Sequence, residues 1–148
     1  MNENNLLNLR EYHDLYQKDI AKAIGVSRRT YSSWETNTKI IPLKHLNSIS
    51  NYYDVSMDYI LGLSSKKKNG NINKILKLDK STIGSKIKQV REKHNLTISN
   101  LAKELNTTPS TISAYEHGKT LILTAFAYQI CKKYKISLDW LCGKNKEL

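Results

Sequence analysis

Two adjacent arginines, Arg28 and Arg29, open the stretch RRTYSSWE and have side chains that can bind the edges of DNA bases. A guanidinium group can donate two parallel hydrogen bonds to guanine, and each such contact gives about 1–3 kcal/mol of discrimination. Ser27 just before them is a typical helix N-cap, so both cations would lie at the positive end of a helix dipole. Because that position is unfavourable for ordinary solvated arginines, it favours a binding role over a purely solvated one.

The same pattern occurs a second time, 81 residues later. The stretch PSTISAYE begins at Pro109 and aligns with RRTYSSWE without a gap. The same offset aligns Arg10 with Arg91 and Glu35 with Glu116. A period this long indicates two whole domains rather than a solenoid of short repeats. A chain of 148 residues is long enough for two small domains, each with a modest core.

The spacing of apolar residues predicts five short helices in each copy. In the first copy, Ile20 and Ile24 share one face of a second helix, Gly25 is suited to end it, and Ser27 is suited to begin a third. Thr108 is the corresponding cap in the second copy. A third helix that begins about three residues after the second ends is the helix-turn-helix arrangement.

The two copies resemble the Cro-type (XRE) helix-turn-helix family of bacterial and phage repressors. The resemblance rests on AKAIGVSRRTYSSWE and AKELNTTPSTISAYEHGK, which share the turn, the Ser/Thr cap and the aromatic–Glu pair, and on VSMDYILG and ISLDWLCG as closing helices. It covers residues 6–63 and 83–143. It implies an all-α fold of two tandem five-helix Cro/repressor-like domains, with domain 1 at residues 1–63 and domain 2 at 82–148. Between them lies a basic linker at 64–81, whose apolar residues predict that part of it is helical; these are Ile72, Ile75, Leu76 and Leu78.

The resemblance also implies which residues contact DNA, because in this arrangement the third helix lies in the major groove and the second crosses the backbone. The implied contacts are Gln17, Arg28, Arg29, Ser32, Ser33, Lys39 and Lys44 in domain 1, and Pro109, Ser110, Thr111, Ser113, Ala114 and Lys119 in domain 2. The implied base-contacting side chains of the third helix of domain 2 are small and uncharged and cannot make an arginine–guanine contact. We therefore expect the two domains to prefer different half-sites on double-stranded DNA.

Other prominent residues are assigned to the architecture of each domain. By resemblance, Arg10 pairs with Glu35 and Arg91 pairs with Glu116, which joins the first helix to the end of the third. A partly buried ion pair of this kind is costly to break from one side. The face of each third helix opposite the implied DNA contacts is expected to be core, and its residues are Tyr31, Trp34, Ile112 and Tyr115.

The net charge of +11 is unevenly distributed along the chain. Residues 1–63 hold seven Lys/Arg and seven Asp/Glu, whereas residues 64–148 hold seventeen and six. A basic segment favours a polyanionic partner, because each neutralised phosphate releases counterions. The alternative is a surface that only keeps the protein in solution, and the six lysines of the linker fit either a phosphate-backbone contact or a solvated surface.

The sequence contains no recognisable catalytic or metal-binding pattern. Cys131 and Cys142 have no CxxC spacing and are expected to be buried thiols, and the histidines have no HxxxH spacing. We therefore expect no enzyme activity, no metal and no cofactor. The N-terminus lacks the order of a signal peptide and no apolar run reaches the ~18 residues of a membrane span, so we expect a cytoplasmic protein without membrane contact.

Two functional hypotheses follow. The first is a sequence-specific DNA-binding transcriptional regulator, a bacterial or phage repressor, in which one chain supplies two different recognition helices. The sequence is compatible with both a monomer and a homodimer. The alternative is a protein-binding adaptor or antitoxin-like module that uses the tyrosines of domain 1. These tyrosines are Tyr12, Tyr16, Tyr31, Tyr52, Tyr53 and Tyr59. A contiguous exposed patch of them away from the third helix would favour the alternative, since tyrosine is enriched at protein interfaces.

Overall fold

The computed structural model describes residues 3–68 and 72–146 of the chain. The chain divides between Lys77 and Leu78 into two compact units, unit 1 and unit 2, and over the described residues it consists of helices without strands. The helices of unit 1 are α1 (Leu6–Tyr12), α2 (Gln17–Ile24), α3 (Arg28–Glu35), α4 (Leu43–Tyr53) and α5 (Met57–Ile60). Those of unit 2 are α6 (Lys80–Lys93), α7 (Ile98–Glu104), α8 (Pro109–Glu116), α9 (Thr124–Tyr134) and α10 (Leu138–Leu141). The predicted all-α fold of two tandem helical domains is confirmed.

The helix-turn-helix of unit 1 is formed by α2 and α3. Gly25 ends α2 with a left-handed φ of 76°, which glycine adopts without strain. The hydroxyl of Ser27 then accepts a hydrogen bond from the backbone N–H of Thr30 at 3.1 Å and so begins α3. The same device begins α5, where the Ser56 hydroxyl accepts from the Tyr59 N–H at 2.9 Å.

Unit 2 builds the same turn from different residues. Asn106, with φ of 56°, takes the place of the glycine after α7. Thr108 caps α8 by accepting a hydrogen bond from the Thr111 N–H at 3.3 Å, and Pro109 occupies the first turn, where its missing N–H costs nothing. Both units therefore join the second helix to the third through a short, tight turn. No helix in the described part of the chain is long and apolar enough to cross a membrane.

The apolar faces of these helices form a separate core in each unit. As predicted, Tyr31 and Trp34 are buried in unit 1, and Ile112 and Tyr115 are buried in unit 2. In unit 2 the first helix packs very closely on the third: a Cβ at Gly84 would lie 2.1 Å from the carbonyl oxygen of Tyr115. Glycine is therefore required there. The two cysteines, Cys131 and Cys142, are buried thiols in the same unit.

The predicted linker has no helix of its own in its described part: among the described residues of 64–81 only residues 80 and 81 are helical, and they begin the first helix of unit 2. Residues 64–68 and 72–79 contain no helix, and residues 69–71 lie outside the described residues. The carbonyl oxygen of Ile75 accepts hydrogen bonds from the side-chain amides of Asn47 and Asn51 on α4, at 2.7 and 2.8 Å. A carbonyl held in this way by another helix is not available to a helix of its own, which is the physical reason for the difference.

A second part of the linker is also bound to unit 1. The backbone N–H of Ser56, the residue that caps α5, donates to the carbonyl oxygen of Lys67 at 2.7 Å. The next residue, Lys68, forms an ion pair of 2.6 Å with Asp54 at the end of α4. The first helix of unit 2 begins at Lys80, inside the predicted linker. Residues 64–68 and 72–77 thus lie along α4 and α5 of unit 1, and these two described stretches are called the strap below.

Candidate nucleic-acid interface

The third helix of unit 1 separates its side chains into a buried and an exposed face. Arg28 and Arg29 are exposed on the first turn of α3, while Ser32 and Ser33 are half-buried on the following turn. The hydroxyl of Ser33 donates to the carbonyl oxygen of Thr30 in its own helix at 2.6 Å, so its oxygen remains only as an acceptor. The two guanidinium groups are therefore the strongest hydrogen-bond donors on this face.

A chain of hydrogen bonds holds Arg28 against the second helix. Its Nη1 donates to Oε1 of Gln17 at 3.1 Å, and Nε2 of Gln17 donates to Oε1 of Glu35 at 3.4 Å. Glu35 in turn accepts from both Nε and Nη2 of Arg10, at 2.9 and 2.7 Å. The first turn of α3 is thereby connected through α2 to an ion pair on α1. Sequence reasoning placed Gln17 at the phosphate backbone and missed its contact with Arg28, for which the only signal was their position at the starts of adjacent helices.

The ion pairs expected from the resemblance are present in both units. The Arg10 and Glu35 side chains are 17% and 6% exposed, and those of Arg91 and Glu116 are 12% and 3% exposed. Each arginine also donates to a backbone carbonyl after the first helix, that of Leu15 or Leu96, at 2.9 Å. Each pair therefore fixes the end of the third helix to the first helix.

Burial and hydrogen bonding act in opposite directions on Glu35. Desolvation is the largest influence and by itself would raise the pKa of the Glu35 carboxyl, but hydrogen bonds from Arg10, Tyr31 and Gln17 and the charge of Arg10 together outweigh it, and the pKa lies below the ordinary value. The hydrogen bond to Glu35 likewise raises the pKa of Arg10, and Glu116 does the same for Arg91. Glu35, Arg10 and Arg91 are thus charged in the folded protein.

The third helix of unit 2 has a different surface. Pro109 and Ser110 are exposed, whereas Thr111, Ser113 and Ala114 are half-buried. The Thr111 hydroxyl lies 3.0 Å from the hydroxyl of the cap Thr108, so it serves the helix start. Unit 2 also lacks the hydrogen-bond chain of unit 1, because Ile98 and Pro109 stand where unit 1 has Gln17 and Arg28.

The remaining predicted contacts lie around the ends of the third helices. Lys39, Lys44 and Lys119 are all exposed, with Lys39 and Lys119 in the loops after α3 and α8 and Lys44 in the first turn of α4. An open cleft next to α3 is lined by Arg10, Tyr16, Gln17, Lys18 and Arg28. It gathers three basic side chains near the start of α2. Sequence reasoning did not place Tyr16 or Lys18 among the DNA contacts, because their position in this cleft depends on how α1 meets α2.

The two units also hold the end of the third helix differently. In unit 1, the side-chain amide of Asn4 donates to the carbonyl oxygen of Trp34 at 3.0 Å and to Oδ1 of Asn37 at 2.9 Å. In unit 2, the backbone of Gly84 packs directly on the corresponding carbonyl of Tyr115. A segment ahead of the first helix therefore anchors α3, whereas an extension of the first helix itself anchors α8.

The tyrosines of unit 1 fall into two groups. Tyr31 and Tyr53 are buried, Tyr59 is half-buried, and Tyr12, Tyr16 and Tyr52 are exposed. Four rings form a continuous array at the C-terminal ends of α1 and α4. Their centroids are 5.1 Å apart for Tyr12 and His13, 5.0 Å for His13 and Tyr53, and 5.1 Å for Tyr52 and Tyr53. Tyr16 does not belong to this array and lines the cleft beside α3.

The structure groups no set of three or more His, Cys, Asp or Glu side chains that could hold a metal ion within residues 3–68 and 72–146.

Comparison with known proteins identifies both halves of the chain. A family model described as "Helix-turn-helix" matches residues 6–60, and one described as "Helix-turn-helix domain" matches residues 84–147. Two Bacillus subtilis (strain 168) proteins are similar. "Uncharacterized HTH-type transcriptional regulator YobD" is 41% identical over 59 residues, which is 40% of this chain and 53% of that protein. "Uncharacterized HTH-type transcriptional regulator YqaE" is 36% identical over 64 residues, 43% of this chain and 55% of that protein.

A third relative is "Antitoxin PezA" of Streptococcus pneumoniae serotype 4, which is 32% identical over 66 residues, 45% of this chain and 42% of that protein. The chain thus spans about half the length of the curated relatives it matches. The two family matches cover separate helical units, and each includes a second and third helix joined by the tight turn described above. The chain belongs to the Cro-type (XRE) helix-turn-helix family and carries two tandem copies of its domain.

Proposed function

We propose that this chain is a sequence-specific transcriptional regulator that binds double-stranded DNA through α3 and α8. The observation that carries the proposal is the exposed pair Arg28 and Arg29 on the first turn of α3, with Arg28 oriented by Gln17. An oriented guanidinium loses less conformational freedom when it binds the edge of a guanine. The names of the two Bacillus subtilis relatives support the same class of function.

In this proposal the two units recognise different half-sites. α3 contributes Arg28, Arg29, Ser32 and Ser33 to base edges. α8 contributes Pro109, Ser110, Thr111, Ser113 and Ala114, which fit apolar contact with a thymine methyl group rather than a fork to guanine. Lys39, Lys44 and Lys119 contact phosphates and fix the position of each helix, while Gln17 lies beside the DNA backbone and acts mainly by orienting Arg28. By resemblance to Cro-type repressors, binding leads to repression, and no catalytic step is involved.

The proposal is tested by selecting genomic fragments with the purified 148-residue chain and then comparing a selected site with random DNA. Changing Arg28→Ala and Arg29→Ala together should remove most of the difference in affinity between the two, because no comparable guanine-binding side chain is present on α8. The matched control is Lys132→Ala with Lys135→Ala, which removes the same charge from exposed positions outside the proposed interface. It should weaken both affinities without changing their ratio. Full discrimination by the arginine variant would contradict the assignment.

A second candidate function is favoured by two specific observations. The chain is similar to a protein named as an antitoxin, and unit 1 carries exposed tyrosines in a continuous array on α1 and α4 rather than on α3. Such a surface is typical of protein interfaces. A protein-binding adaptor or antitoxin-like module would use this surface, and it is compatible with DNA binding by α3 on the same unit.

A further inference from the structure

The ring array of unit 1 is an exposed aromatic surface, defined here as Tyr12, His13, Tyr52 and Tyr53. Tyr12 is 71% exposed and Tyr52 is 47% exposed, whereas Tyr53 is buried. The Tyr53 ring contacts Tyr52 directly and is connected to Tyr12 through the ring of His13. Contiguous exposed apolar surface of this kind is characteristic of interaction sites. The buried Tyr53 ring gives the surface a fixed base, so the two exposed rings project from a rigid support.

The equivalent surface of unit 2 has lysines in place of the two exposed tyrosines. The corresponding residues there are Lys93, His94, Lys133 and Tyr134. Glu104 of α7 accepts a hydrogen bond from the Tyr134 hydroxyl and forms an ion pair of 2.9 Å with Lys133. Unit 2 therefore closes this place with a carboxylate of its own. Unit 1 has Ala23 at the position of Glu104, so it supplies no carboxylate.

The aromatic surface of unit 1 has a basic edge that is provided by the strap. Nζ of Lys67 lies 3.8 Å from the centroid of the Tyr12 ring, and the Lys67 carbonyl is bound by the Ser56 N–H. Lys66 is exposed beside it. The ion pair between Lys68 and Asp54 holds this segment at the end of α4. Aromatic rings with lysines at their edge are complementary to a ligand that combines apolar groups with carboxylates.

Three kinds of ligand for the aromatic surface can be compared by their charge and apolar content: a second copy of the chain, DNA and an acidic protein segment. A second copy of the chain also carries a net charge of +11, so two copies repel each other. DNA would match the lysines, but the proposed phosphate contact Lys44 lies at the N-terminal end of α4, about 13 Å along the helix from Tyr53 at 1.5 Å per residue. A polar, hydrogen-bonding duplex backbone also has little apolar surface to cover Tyr12 and Tyr52. An acidic protein segment meets both requirements.

We propose that the aromatic surface of unit 1 docks an acidic segment of a partner protein. Tyr12 and Tyr52 are the apolar anchors, and Lys66 and Lys67 pair with carboxylates of the segment. The partner's carboxylates thus take the role that Glu104 plays within unit 2. This proposal rests on the second candidate function and is independent of DNA recognition by α3. Because the strap supplies the lysines, the partner reads unit 1 and the strap together.

The probe for the test is a phage-displayed library of random dodecapeptides, selected on the 148-residue chain. Selected peptides should be rich in Asp and Glu with at least one aromatic or large apolar residue. A selected peptide, synthesised with a fluorescent label, should bind at least about tenfold more weakly to the Tyr12→Ala, Tyr52→Ala double variant and to Lys67→Glu, as for anchor residues of other interfaces. Leu123→Ala, which removes an exposed apolar side chain in unit 2, is the matched control and should bind normally.

Each other outcome overturns the proposal. Selected peptides without acidic residues, or binding that survives both variants, would show that the surface is not the docking site. A random-sequence duplex that loses affinity in the Tyr12→Ala, Tyr52→Ala variant would identify DNA as the occupant, and a chain that dimerises through these tyrosines would identify a second copy. Trp34 fluorescence verifies that unit 1 is folded in each variant. The Arg28→Ala, Arg29→Ala protein should keep peptide binding, so failure of the DNA proposal is recognised separately.

Discussion

Replacing Glu35 with glutamine should selectively destabilise unit 1. The Glu35 carboxylate receives two hydrogen bonds from Arg10 at 2.7 and 2.9 Å, and its side chain is almost fully buried. Loss of its charge leaves the Arg10 guanidinium buried without a counterion, which costs about 3–5 kcal/mol in fully buried pairs. Because Arg10 retains some exposure and the glutamine oxygen still accepts one hydrogen bond, we expect the lower end, about 3 kcal/mol. A small domain has only about 5 kcal/mol or slightly more of stability to lose.

Urea unfolding measures this effect in each unit separately, because each unit contains one tryptophan, Trp34 in unit 1 and Trp140 in unit 2. With an m-value of about 1–1.5 kcal/mol per molar urea, a loss of 3 kcal/mol lowers the midpoint by about 2 M or more. Phenylalanine in place of one tryptophan isolates the signal of the other. Glu35→Gln should move only the Trp34 transition, and Glu116→Gln only that of Trp140.

The matched control is Asp54→Asn, which breaks an ion pair whose two side chains are more than half exposed. Asparagine tolerates the left-handed φ of 55° at this position, and exposed pairs contribute about 0–1 kcal/mol, so the midpoint should move little. If Glu35→Gln cost less than about 1 kcal/mol, or no more than Asp54→Asn, the ion pair would not hold α3 to α1 as argued.

Three further predictions follow from the same contacts. Because the folded pKa of Glu35 lies below the ordinary value of about 4.3, its contribution to stability is present above that pH and is lost as the pH falls through the folded pKa. Glu35→Gln should therefore flatten the decline in the free energy of unfolding between about pH 5 and 3. An unchanged decline would contradict this. Gln17→Ala should weaken binding to a selected DNA site about tenfold, with random DNA less affected, whereas Lys22→Ala on the same helix should not; equal effects in fluorescence anisotropy would refute the role of Gln17 in orienting Arg28. A single chain should cover two unlike half-sites, so light scattering should find one chain per duplex with an asymmetric footprint, and two chains on a palindrome would refute it.

Most of the fold could be predicted because its signals are local. Ser27 and Thr108 mark helix starts through contacts with residues three positions ahead, and Gly25 marks a helix end through its own φ. The burial of Tyr31 and Trp34 follows from helical spacing. These features depend on a few neighbouring residues, so they are readable without knowledge of the packing.

The contacts that sequence reasoning missed join distant residues through backbone groups or through polar side chains of ordinary type. Asn47 and Asn51 bind a carbonyl more than twenty residues away, and any residue type at position 75 offers that carbonyl. The contact of Gln17 with Arg28 likewise depends on the angle between two helices. Tyr53 shares the buried face of α4 with Leu46 and Ile49, but its ring stack with His13 depends on where α1 lies.

The strap on unit 1 changes where this compact unit ends. A fragment that stops at residue 63 would lose the carbonyl acceptors of Asn47, Asn51 and the Ser56 N–H, and the amide of Asn47, which is 2% exposed, would be left buried without that partner. An unsatisfied buried group of this kind costs about 1–3 kcal/mol. A fragment that ends at Lys77 keeps these bonds and is the natural choice for studying unit 1 alone.

With this boundary, the charge asymmetry along the chain disappears. Five of the six lysines of the predicted linker belong to unit 1, so residues 1–77 carry twelve basic and seven acidic side chains, and residues 78–148 carry twelve and six. The two units therefore have net charges of +5 and +6. The duplicated units have diverged in the side chains of their third helices while remaining electrostatically equivalent, so each should be attracted to a polyanion with similar strength.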